Sequence, residues 1–157
     1  MKHLLLLIFL ALLPSVGRSQ EIYNRVMESA DRTINNPNSI FAATRIAHFK
    51  KTALVYLRSK AVATMPEVPV TFLDTQAYYL SEFVSLFFDQ LFESKSKSAD
   101  KQRECIMLFM DASKSNPLFN DEDKETVDAY IDEGNQLTPF CLDTDWQKAY
   151  MAAKTNL

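Results

Sequence analysis

Glycine, histidine and cysteine are nearly missing from this chain, with two of each in 157 residues. So few glycines leave no material for a phosphate-cradling loop, a dinucleotide fingerprint or a collagen repeat. The scarce Cys and His form no C-x₂-C or H-x₃-H pair, so zinc fingers, zinc ribbons and haem attachment are excluded and no cofactor is expected. A basic excess is missing too. Lys+Arg number 17 against 20 Asp+Glu, a formal charge of −3, and nucleic acid is not an expected partner, because phosphate affinity needs a net basic face. No apolar run reaches the roughly 20 residues that span a bilayer, so no transmembrane segment is expected. What is present is a 47% hydrophobic composition, too apolar for a disordered chain and sufficient for the core of one domain.

The first apolar run, Leu4–Leu13, follows the basic start Lys2-His3 and ends at Pro14, with small residues Gly17 and Ser19 flanking Arg18. This three-part pattern predicts a secretory signal peptide over residues 1–19. Cleavage after Ser19 makes Gln20 the first mature residue and removes Lys2 and Arg18 but no acid, so the mature chain is more acidic. The expected location is exported, periplasmic or extracellular.

From residue 20 onward the apolar residues recur with a 3.6-residue period, and Pro37, Pro66, Pro69, Pro117 and Pro139 mark connections. The periodicity predicts helices over 21–35, 39–62, 72–93, 99–113, 121–133 and 145–154. Ser98, Asn120 and Thr144 are the expected N-caps of the last three. Thr71 with Asp74 and Thr144 with Gln147 suit capping boxes, and Gly134 suits the residue that ends the fifth helix. The expected fold is all-α, a compact bundle of about six helices in a single domain, 20–157. At its centre stands helix 72–93, whose Leu73, Tyr79, Leu80, Phe83, Val84, Leu86, Phe87, Phe88 and Leu91 cover more than half its circumference.

Catalytic material is thin. His48 is the only mature histidine, and it falls on the polar side of its helix near Arg45, Lys51 and Thr52, where no neighbour orients it as a base. Glu82 and Asp89 share one polar strip with Tyr78 and Ser85, a minor hydrolase reading that would need a second carboxylate across a cleft. Asp121, Asp123, Glu125 and Asp132 mimic calcium-loop spacing, but Thr126 stands where the loop needs glycine. Catalytic residues and metal ligands are therefore not expected.

Charge placement carries more signal. Residues 39–66 hold Arg45, Lys50, Lys51, Arg58 and Lys60 and no acid, whereas residues 121–133 are densely acidic. Such segregation suits either pairing inside the bundle or docking of a charged partner. Arg45, Lys51 and Arg58 are the candidate binding residues. Lys50 differs from them, since the helical wheel sets it inside the apolar face between Ala43, Ile46, Leu54 and Leu57. A lysine there needs a counter-ion, loses its charge, or snorkels to the bundle edge. Cys105 and Cys141 are even in number and survive signal removal, so an exported location predicts a Cys105–Cys141 disulfide.

The signal pattern, the mature Gln20 and the run Val70-Thr-Phe-Leu-Asp-Thr-Gln-Ala-Tyr-Tyr-Leu-Ser-Glu-Phe83 resemble small exported proteins of Gram-negative bacteria with a helical domain of unknown function. The resemblance implies export and a helical fold, and carries no site residues. The leading expectation is a non-catalytic exported protein that binds another protein or an envelope component. The alternative is a carrier of a small apolar ligand in an aromatic-lined helical pocket.

Overall fold

A computed structural model describes residues 20–123, 127–133 and 136–157; the expected export signal, 1–19, lies outside them. Among the described residues, five helices form where the 3.6-residue period is cleanest: α1 (Glu21–Asn35), α2 (Phe41–Thr64), α3 (Phe72–Lys95), α4 (Ala99–Lys114) and α5 (Trp146–Thr155). None is long and apolar enough to cross a membrane.

The caps follow the sequence only in part. Ser98 caps α4 as expected, its hydroxyl accepting from the Lys101 amide at 3.2 Å. Thr71 makes no side-chain cap on α3. Its expected box partner Asp74 instead accepts from the Tyr23 amide at 2.9 Å, capping α1, whose own N-cap Gln20 makes no side-chain bond. At α5 the cap is Asp145 rather than Thr144, with the Lys148 amide as donor at 3.2 Å.

The expected helix over 121–133 gives way to a strand from Asp128 onward, a correction of that reading, while 124–126 and the expected stop Gly134 lie outside the described residues. Asn120, the expected cap, sits at φ 56, in the left-handed region where a helix does not start. Beyond it β1 (Asp128–Glu133) pairs antiparallel with β2 (Gln136–Cys141), from Asp128 opposite Cys141 to Glu133 opposite Gln136. Val127 and Ile131 fit a helical period, but within 128–133 Ala129 and Ile131 also alternate with polar neighbours. The second pattern wins because it aligns Ala129 with Phe140 on one face, and Phe140 is fully buried. Pro139 is tolerated within β2 because both strands of a two-stranded sheet are edges.

Phe140 completes an aromatic cluster drawn from four elements besides its own. Its ring lies 5.8 Å from Phe49 of α2, and 5.4 and 5.3 Å from Phe83 and Phe87 of α3. Phe109 of α4 and Trp146 of α5 sit 5.3 and 5.4 Å from Phe83. Most of these contacts are edge-to-face, each adding about 0.5–1.5 kcal/mol beyond area burial. Helix α3 touches every other helix, as its broad apolar surface predicts.

The connector 141–146 is largely polar yet buried, and its Asp and Thr side chains find partners on the adjoining elements, whereas the buried Trp146 indole N–H has none among the described residues. Asp143 accepts from the amides of Leu118, Phe119 and Asp121 at 3.2, 2.7 and 2.7 Å. The Ser113 and Thr144 hydroxyls lie 2.9 Å apart, and the Cys141 amide donates to Ser113 Oγ at 2.9 Å. Gln76 of α3 donates to Asp145 at 3.3 Å and accepts from the Trp146 amide at 2.8 Å. These bonds hold the hairpin exit against the end of α4 and the start of α5.

The expected disulfide is not formed; both cysteines are free. Cys105 faces Ser94 near the start of α4. Cys141 is bonded through its amide to Ser113, two turns further along α4, roughly 12 Å at 1.5 Å per residue. A bridge needs Cα atoms within about 7 Å.

Candidate functional site

Helices α1 and α2 run antiparallel and are clipped along their length. Near one end the Arg58 guanidinium stands 5.9 Å over the Tyr23 ring, and further along Lys51 Nζ pairs with Asp31 at 2.5 Å. Beside these clips the residues that line the seam include several alanines. Ile22, Val26 and Ala30 recur every four residues on α1, while Ala43, Ile46, Ala47 and Lys50 follow an i, i+3, i+4, i+7 stripe on α2. Alanines cannot fill the seam between two helix axes, and a groove of about 400 Å³ is left there, with Ser81 of α3 as floor and Arg25, Ser29 and Thr33 at its edges. That volume lies within the range of small-molecule sites.

Lys50 gives the groove its one half-buried charge. Burial pushes its ammonium below the ordinary value of 10.5, and the nearby Glu82 carboxylate pulls it partly back. Among the described residues no carboxylate comes within ion-pair distance of Lys50. Its position inside the apolar face is the one the helical wheel sets, and its desolvation shows that snorkelling frees it only in part.

The candidate binding residues Arg45, Lys51 and Arg58 do not converge. They spread over roughly 20 Å of α2, and each has a local partner. Arg45 lies 5.6 Å over the Phe41 ring, while Lys51 and Arg58 turn toward α1. Lys60 pairs with Asp121 at 2.5 Å, so part of the charge segregation resolves as pairing within the fold. His48 is exposed.

A second cavity of about 580 Å³ lies beside the hairpin, lined by Asp121, Glu122, Asp128, Asp143, Lys114 and Cys141 among others. Its acids are largely committed. Asp143 holds three backbone amides, and Asp128 lies 4.0 Å from Lys114. Asp121 accepts from Tyr56 Oη at 2.9 Å and pairs with Lys60, interactions that hold its carboxyl below the usual 3.8. Burial, reinforced by Asp121, pushes the Tyr56 phenol well up, and burial raises both thiols. Of the calcium-like spacing, Glu125 and Thr126 lie outside the described residues, and the described acids form no metal-holding cluster.

The carboxylates of the hydrolase reading part company: Glu82 is half-buried toward Lys50, and Asp89 is exposed. Of the α3 aromatics, Phe83 and Phe87 are fully buried against other rings. The sequence reading therefore missed the seam of Ala30, Ala43, Ala47 and Ser81. The signal was there in the alanines at helical spacing around Lys50. The fixed role of Asp143 was missed as well, for a carboxylate three residues before a helix carries no mark of the distant amides it will hold.

Comparison with protein families, characterised proteins and solved structures gives no match, so the functional reading rests on the residues themselves.

Proposed function

We propose that the protein is a non-catalytic exported binding protein that holds the apolar part of a small ligand in the groove between α1 and α2. The observation that carries this reading is the groove of about 400 Å³, walled by Ile22, Val26, Ile46 and alanines, with Lys50 at its side. Aliphatic walls contribute about 0.8 kcal/mol for each ligand CH₂ they remove from water. The ligand site thus belongs to an aliphatic seam rather than to the α3 aromatics. Titration with the neutral fluorophore N-phenyl-1-naphthylamine tests it. Ala43→Trp fills the groove and should abolish binding with the far-UV spectrum retained, and Ala43→Ile should weaken it. Fluorophore binding indifferent to both changes would overturn the reading. Export is tested separately by mass analysis of the secreted chain, which should begin at Gln20; an intact Met1 would refute it.

A second reading, docking of a macromolecule along the basic face of α2, is favoured by Ile40 and Phe41, 72% and 66% exposed beside Arg45. Its test is in-cell cross-linking. Lys51→Glu with Arg58→Glu should remove the cross-linked species and leave the fold intact, since exposed charge pairs contribute only about 0–1 kcal/mol. An unchanged cross-linking pattern would refute it.

A further inference from the structure

Lys50 sets the chemistry of the groove's occupant. A half-buried ammonium has lost hydration that the apolar groove does not return, and no described carboxylate is close enough to pair with it. Glu82 acts on it only through its field. A neutral ligand seated beside Lys50 would strip more water from the charge and return at most a hydrogen bond to a neutral acceptor. A monoanion would take the place of that water, in a charge-assisted hydrogen bond of about 2.7–2.9 Å. The hydroxyl of Ser81 lines the same groove and suits the remaining carboxylate lone pairs, which must be satisfied if the buried pair is to be favourable. A phosphate dianion fits less well, because its second charge would stand against Glu82 with no further half-buried cation to meet it. Arg25, the other cation of the groove, is exposed at its rim. Ile22, Val26 and Ile46 offer aliphatic walls beside Lys50 and no polar anchor, which suits an unbranched chain.

We infer that the groove takes a single-chain amphiphile bearing one carboxylate, a fatty-acid-type ligand, with the carboxylate on Lys50 and the chain along the α1–α2 seam. The inference rests on the groove reading proposed above and goes beyond it by assigning the head group.

The test is calorimetric titration of the intact chain with dodecanoate, 1-dodecanol and dodecyl phosphate, each below its micelle concentration. The wild-type protein should bind dodecanoate at least about tenfold more tightly than the alcohol, the difference expected for one charge-assisted hydrogen bond. Lys50→Met, close in volume, should remove that preference by weakening dodecanoate binding, while Lys50→Arg should retain it. Thermal unfolding of each variant checks that the fold persists. Alcohol binding as tight as dodecanoate, dodecyl phosphate binding tighter than dodecanoate, or a preference that survives Lys50→Met would each overturn the head-group assignment. In those cases sensitivity to Ala43→Trp would still uphold the groove. Binding of none of the three ligands, or binding indifferent to Ala43→Trp, would overturn the groove and the assignment together.

Discussion

The backbone amide of Tyr23 donates to the Asp74 carboxylate at 2.9 Å, joining the first turn of α1 to the first turn of α3. An acceptor supplied from another helix does the work of an N-cap, and its negative charge meets the positive end of the α1 dipole. Loss of a cap costs about 0.5–2 kcal/mol. Asp74→Ala should therefore lower stability by about 1 kcal/mol and speed hydrogen exchange at the start of α1. Because α1 forms one wall of the groove, ligand affinity should fall with it. Unchanged exchange at Tyr23 would show that the cap is idle.

Asp143 is the most heavily engaged carboxylate described, accepting from three amides while 1% exposed. Removing it leaves those donors without their acceptor in a dry site. Asp143→Ala should cost about 3 kcal/mol in denaturant unfolding. Asp89→Ala, at an exposed position on α3, should show no measurable loss. Equal effects of the two would refute the distinction.

The hairpin is held to the helices through Phe140, fully buried among Phe49, Phe83 and Phe87. Phe140→Ala should destabilise the chain by about 3–5 kcal/mol, the usual range for a buried aromatic. A loss below about 1 kcal/mol would mean that the hairpin is dispensable to the core.

Asp121 links α2 to the acidic segment, and its carboxyl is held below the ordinary 3.8 by Lys60 and Tyr56. A carboxyl with a depressed folded-state pKa binds fewer protons folded than unfolded, so its contribution is present above the unfolded value and is lost as pH falls through the folded one. Wild-type stability should thus drop more steeply below pH 3.8 than that of Asp121→Asn. Parallel acid limbs in chemical denaturation would contradict this.

With Cys105 and Cys141 both free, two thiols should react with Ellman's reagent in the unreduced, denatured protein. Addition of a reductant should leave the melting temperature unchanged. A reductant-sensitive melting temperature would restore the bridge.

Much of this organisation is legible from residue order alone, for a physical reason. Helix signals are local: the 3.6-residue period, prolines that cannot continue a helix, and a serine that caps the next turn all act within a few residues. Hence α1 through α5, the central place of α3, the Ser98 cap and the awkward setting of Lys50 can all be read in advance. Three features could not be, because each depends on what lies across the core. Ala129 and Ile131 suit a helix or a strand, and the strand prevails because Phe140 then fills the space between Phe49 and Phe83. The cysteines suit a bridge by count and by the expected compartment, but they meet α4 two turns apart. Alanines around a lysine leave room for a ligand only if the facing helix is also small there, and the packing of α1 with α2 that brings Ala30, Ala43 and Ala47 to one groove is a tertiary decision.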